Sequence, residues 1–316
     1  MIFKITTEDL FFTPPTYENE EVAADKVSDI CRERAHEIYG EMRSVSDRLE
    51  VELAMMRNTE CGFLFMLLRE ISKFSESLGY PIMTAGNFSS SLITFLLGIT
   101  NINPLPAHYR CDSDCYSCLQ KGEECRFGLD MSDNYCTTCG KLMMKDGFDI
   151  SAVVVWDSFV DPIMPEFSVK LASSVLKLLQ KHLNDKLGYV DSDKSIYRRI
   201  EIGESAVCED IGKLAKITGK SPLNKQYSNE IYLAILKMLA KDIAEEDIYE
   251  DTKEMCENIN SMTACDFLTL VQTYYYKVSG EFIVREDILS DYISRLQLMC
   301  TLAWYEKRFP TEFASL

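Results

Sequence analysis

Apolar residues recur at helical spacing along much of the chain. Val22, Val27, Ile30, Ala35 and Ile38 predict a helix over about 20–39, closed by Gly40. Val45, Leu49, Leu53 and Met56 share one face of a second predicted helix, from about Ser44 to Arg57. Residues 62–78 open as a continuous apolar run, for which strand and helix compete, and then turn to helical periodicity. A shorter apolar run, 92–99, predicts a further helix. The β-branched stretch Ala152-Val153-Val154-Val155-Trp156 predicts a buried strand. Val169, Ala172, Val175, Leu176, Leu179 and Leu183 predict an amphipathic helix over 168–187, ended by Gly188. A strand is expected at 196–203 and helices at about 205–218, 228–243, 245–259 and 286–305. The first 21 residues, with Pro14-Pro15, read as an extended lead-in.

This pattern predicts an α+β, helix-rich fold. The Gly and Pro punctuation between Gly219 and Asn224 is the candidate boundary between a core over 1–218 and a helical region over 219–316. At 316 residues the chain can bury a sizeable core as one large or two modest domains.

Charge narrows the function classes. The formal net charge is −17, from 50 acidic and 33 basic residues. Such a surface repels a phosphate backbone, because nucleic-acid binders gain most of their affinity from lysine and arginine. The charge therefore disfavours nucleic acid as a partner and is read first as a source of solubility. Three histidines leave little material for histidine-based catalysis. No secretory signal is expected in Met1 to Phe12, and the run at 92–99 is far too short to span a membrane, so a cytoplasmic setting is expected.

Cysteine is the strongest chemical signal. Six of the twelve cysteines fall between Cys111 and Cys139. Cys115-x2-Cys118 and Cys136-x2-Cys139 form two knuckles 17 residues apart, the spacing of a structural zinc ribbon. Gly140 follows the second knuckle, where a tight turn is usual. These four thiolates are the expected metal ligands, with Cys111 as the alternative, and four thiolates leave no open position for catalysis. The ribbon insertion spans about 108–147.

The second candidate site is the loop Thr84-Ala85-Gly86-Asn87-Phe88-Ser89-Ser90-Ser91, whose small and short polar residues precede the run at 92–99. Exposed amides at a helix start favour an anion, commonly phosphate, which nominates Gly86, Ser89, Ser90 and Ser91. An ordinary serine N-cap is the competing reading and carries more weight on the loop alone.

The segments Gly98-Ile99-Thr100, Asn103-Pro104-Leu105-Pro106, His108-Tyr109 and Cys111 resemble the catalytic core of PolC-type bacterial DNA polymerase III. Arg34 to Gly40 and Arg48 to Leu53 resemble it as well, and Ala303 to Pro310 does so faintly. The resemblance is specific from about 30 to 150. It implies a helix at 62–78 and a reduced nucleotidyltransferase-like palm carrying the zinc ribbon. It also implies a loop that cradles the triphosphate of an incoming nucleotide, falling here on 83–91. The family's arginine there is Ala85, and of its three glycines only Gly86 remains, the others being Met83 and Ser89. Side chains thus stand where backbone would have to approach a phosphate closely. The resemblance further implies two magnesium-binding aspartates on a strand. Anchoring on Ile163 and Phe167-Ser168 puts Pro162 and Met164 at those positions, and neither offers the hard oxygen ligand that magnesium needs. Asp157, Asp161 and Glu166 are the fallback carboxylates.

These readings point to a degenerate, non-catalytic relative of the polymerase core, acting as a structural or interaction module with structural zinc and a protein partner. The alternatives are an enzyme with residual nucleotidyl transfer or nucleotide binding, which would require magnesium, and a zinc-ribbon nucleic-acid binder.

Overall fold

A computed structural model describes residues 7–12, 17–111, 120–121, 125, 127–187, 198–221 and 285–316, with isolated positions between 262 and 273. The helices expected at 228–243 and 245–259 lie outside the described residues.

The elements before the cysteine-rich segment are β1 (Thr7–Phe12), α1 (Tyr17–Tyr39), α2 (Arg43–Asn58), α3 (Gly62–Ser77), β2 (Met83–Ala85) and α4 (Leu92–Leu96). The lead-in thus contains a strand, which hydrogen-bonding to a distant partner stabilises and local pattern does not announce. Val22, counted on the apolar face of α1, is exposed; Val27 and Ala35 of that face are buried, and Ala24 and Cys31 join them. At the front of α3 the helix prevails over the strand, and Leu64, Phe65, Leu68 and Ile71 are buried. The helix expected at 92–99 is only one turn long, and Gly98 at φ 72° ends the excursion.

The cysteine-rich segment folds around a three-stranded antiparallel sheet in the order β4–β3–β5, built from β3 (His108–Arg110), β4 (Gln120–Lys121) and β5 (Met144–Asp146). It has its own small core of Ala107, Tyr109, Met131, Cys136 and Met143. Its two ends leave and re-enter the main body side by side, because the amides of Phe148, Asp149 and Ile150 donate to the carbonyls of Asn103, Leu105 and Pro104. The Asn103-Pro104-Leu105-Pro106 motif is therefore one side of a neck.

Beyond the neck come α5 (Ala152–Trp156), β6 (Phe167–Leu171), α6 (Ser173–Leu187), β7 (Arg198–Glu204), α7 (Ala206–Thr218), α8 (Arg285–Arg308) and α9 (Pro310–Phe313). Two expectations fail here. Ala152 to Trp156 is one turn of helix and not a strand: Ser151 caps it by accepting the Val153 amide, Asp157 at φ 61° stops it, and Ala152, Val155 and Trp156 bury one face. Residues 168–171 belong to a strand, with Phe167, Val169 and Leu171 buried and Ser168 and Lys170 half-buried, and the helix starts only at Ser173. Both misreadings come from runs of about five residues, over which periods of 2 and 3.6 are poorly separated.

The main sheet has the order β1–β7–β6–β2. β6 and β7 are parallel across the α6 crossover, and the two edge strands are antiparallel to their neighbours. The core joins α1, α2 and α3 to one face of this sheet through Phe65, Trp156, Phe167 and Phe88. Helix α8 covers edge strand β2, where the Ser294 hydroxyl accepts the Thr84 amide at 3.2 Å, and its Leu298 and Tyr305 join the main core.

Candidate functional site

The small-residue loop is closed on itself. Asn87–Ser90 forms a 3-10 turn in which the Ser89 amide donates to Gly86 O and the Ser91 amide to Phe88 O. Ser89, Ser90 and Ser91 are fully buried. The Ser89 hydroxyl donates to Gly86 O at 2.7 Å, and the Ser90 hydroxyl has no partner among the described residues. Gly86 is required by its φ of 89° and by the chain packed on it, since a Cβ there would stand 2.7 Å from the Glu166 carbonyl oxygen.

Ser91 is the N-cap of α4, its hydroxyl accepting the Ile93 amide. The same hydroxyl donates to the carboxylate of Glu52 at 2.5 Å, and the Leu92 amide donates to that carboxylate at 2.9 Å. Glu52 is fully buried on α2, and its second oxygen accepts from Arg48 Nε at 2.6 Å. Arg48 in turn donates to Ile150 O at the neck. The anion that the start of α4 favours is thus a side chain of the protein itself. Two further helix starts are closed the same way: Glu20 accepts the amides of Gly62 and Phe63 at α3, and Glu209 accepts the Ser174 amide and hydroxyl at α6.

The carboxylates nominated for magnesium lie in the loop between α5 and β6. Asp157, Asp161 and Glu166 are exposed, and Pro162 and Met164 are half-buried. The loop is pinned: Ile163 N donates to Trp156 O, Ser158 Oγ accepts the amides of Val160 and Asp161, and Glu166 N donates to Asn87 Oδ1. The three carboxylates do not come together as a ligand group. Among the described residues, the metal-capable side chains that gather within 4.8 Å are Cys111, Cys136 and Cys139.

Those thiols form the candidate metal centre. Cys136 lies in the module's core, with the amides of Thr138 and Cys139 directed at its sulfur from 3.4 and 3.3 Å. Such amides stabilise a thiolate. Gly140, at φ 71°, turns the chain after the knuckle. Cys111 Sγ is 3.5 Å from Cys139 Sγ, so the structure brings the alternative ligand Cys111 to the second knuckle. Cys115 and Cys118 lie outside the described residues. Three converging thiols fit a soft metal such as zinc and suit magnesium poorly.

Residues 25–289 match the family model described as the bacterial DNA polymerase III alpha NTPase domain. The chain belongs to this family. It is 37% identical over 139 residues to the PolC-type DNA polymerase III of Caldanaerobacter subterraneus subsp. tengcongensis and 38% identical over 139 residues to that of Thermotoga petrophila. Each match covers 43% of this chain and 10% of the relative. The Lactococcus lactis enzyme of the same name is 32% identical over 146 residues, which are 45% of this chain and 9% of the relative. The chain thus matches about a tenth of the length of these curated relatives.

The neck residues that carry the family resemblance are held by contacts among themselves. Tyr39 Oη accepts from Asn103 Nδ2 at 2.7 Å, His108 packs edge-on against Tyr39, and Arg110 holds Asp146 at 3.0 Å. Burial alone would raise the Asp146 carboxyl. The charges of Arg110 and His108 and hydrogen bonds from Asn103 and Gly147 N outweigh it and hold the carboxyl below its ordinary value. Sequence reasoning missed Glu52, although a signal existed: it interrupts the apolar stripe Leu49, Leu53, Met56, and an acid there requires a buried partner. His182 stacks on Phe74 at 3.9 Å and bonds Glu70 at 2.8 Å.

Proposed function

We propose that this chain is a non-catalytic member of the DNA polymerase III alpha family that serves as a structural or protein-interaction module, with a structural zinc in the cysteine module. The observation that carries the reading is the acidic loop between α5 and β6, where Asp157, Asp161 and Glu166 do not gather as a ligand group. The Glu52 carboxylate at the start of α4 also occupies Ser91 and the Leu92 amide. The closed serine turn and the oxygen-free side chains at Pro162 and Met164 support the same conclusion. The fourth zinc ligand is assigned to the Cys115–Cys118 knuckle. The working division is a palm-like core over 1–218 and a helical region over 219–316.

One observation favours a second reading, residual nucleotidyl transfer. Pairing of β2 with β6 sets Gly86 against Glu166, so the serine loop and the acidic loop lie side by side, as a magnesium-dependent transferase requires. Titration calorimetry with magnesium and deoxynucleoside triphosphates separates the two readings. The non-catalytic reading expects dissociation constants on the order of millimolar or weaker. Micromolar binding that Ser91→Ala weakens would favour the transferase.

A further inference from the structure

The loop between α5 and β6 carries an unusual surface. Phe159, Val160 and Ile163 are 56%, 95% and 59% exposed, three large apolar side chains within five residues. Isolated exposed apolar residues are normal, but a cluster on a pinned loop is not. The backbone hydrogen bonds to Trp156 O and Ser158 Oγ hold this turn in place, so its apolar tip is presented as a fixed shape. Met164 and Pro165, next in sequence, turn inward: Met164 packs on the main core and Pro165 is buried. The apolar residues outside are thus not a core run that failed to reach the interior.

The loop that carries the tip is acidic. Asp157, Asp161 and Glu166 are exposed in the same loop, and no lysine or arginine occurs between Lys145 and Lys170. An occupant must offer an apolar socket for Phe159 and Val160 and positive charge around it. A second copy of this chain is a poor candidate, because its net charge is also −17. Nucleic acid offers like charge and no comparable socket.

We propose that Ser158 to Ile163 is a docking epitope for a protein partner presenting an apolar groove rimmed by lysine and arginine. This rests on the interaction-module reading above and names the chemistry of its partner. The apolar tip supplies the area removed from water, and Asp157, Asp161 and Glu166 set orientation and speed encounter.

The test uses two arms on the full chain. In the first, a fluorescent amphipathic helical peptide of leucine and lysine is titrated by anisotropy, with its leucine and glutamate counterpart as control. The lysine peptide should bind, the glutamate peptide should not, and raising salt from roughly 0.05 to 0.5 M should weaken binding several-fold. Replacing Phe159, Val160 and Ile163 together by serine should weaken it about ten-fold or more at unchanged melting temperature, since all three are exposed. Leu178→Ser, at an exposed site on α6, should leave it unaltered. In the second arm a photo-crosslinking amino acid replaces Phe159 or Leu178 in cells. Position 159 alone should give an adduct with another protein, mapping to a basic segment and lost with Val160→Asp. Equal peptide binding by the triple variant, or an adduct at 159 with a second copy of the chain or with nucleic acid, would overturn the proposal. Primer extension by the chain would instead remove the non-catalytic reading beneath it, whereas an inert loop in a chain that leaves primers unextended removes the docking epitope alone.

Discussion

Glu52 holds the amide of Leu92 at 2.9 Å across 40 residues of sequence, which places a buried carboxylate where α4 begins. The contact ties α2 to the serine loop. Through Arg48 and Ile150 O it also ties both to the neck of the cysteine module. One side chain thus links the three segments that the family resemblance had marked separately.

Removing it should be costly. Glu52→Ala leaves Arg48, the Ser91 hydroxyl and the Leu92 amide short of their acceptor, and is expected to destabilise the fold by about 3 kcal/mol. Glu52→Gln keeps the shape and should lose less. Urea midpoints at constant m-value measure both, and an unchanged midpoint for Glu52→Ala would show that the contact carries no weight.

The cysteine module should hold one zinc per chain when purified without added metal. Cys136→Ser and Cys139→Ser should lose the metal and loosen the module. Cys125→Ser should retain it, because the Cys125 thiol donates to Asp130 O and is absent from the converging group. Elemental analysis of the four proteins decides the matter. Less than about a tenth of an equivalent in the parent would contradict the assignment.

Asp146 should make the neck sensitive to acid. Its folded carboxyl is held below the ordinary value, so it contributes stability that is fully present above the unfolded value of about 4 and is lost as pH falls through the folded one. Asp146→Asn should lower stability at neutral pH and flatten its decline below about pH 4. Parallel slopes for parent and variant in urea unfolding between about pH 5 and 3 would refute this.

The long amphipathic helices were legible because eleven or more residues give period 3.6 time to declare itself, as in α2 with Val45, Leu49, Leu53 and Met56. Short elements were not. Ala152 to Trp156 has strand composition, and only Ser151 and Asp157 at its ends make it a helical turn. Strand β1 depends on β7, almost two hundred residues away, and no local pattern reports such a partner. At the candidate site the cysteine spacing singled out the segment in which Cys111, Cys136 and Cys139 converge, while the arrangement of Cys111 beside Cys139 depends on how β3 leaves the neck. The serines were seen, but their burial and the glutamate that meets them follow from packing between α2 and α4, which a linear reading does not contain.

The central proposal is that the chain does not polymerise DNA. Two metal ions must clamp the attacking and leaving oxygens in nucleotidyl transfer, and they need carboxylates on one surface. Here the exposed Asp157, Asp161 and Glu166 do not gather, and the start of α4 is closed by Glu52. Primer extension at high protein concentration, with magnesium and then manganese, tests this most directly. The account predicts a rate indistinguishable from buffer. Extension that appears in the parent chain and vanishes in an Asp161→Asn, Glu166→Gln variant would contradict it.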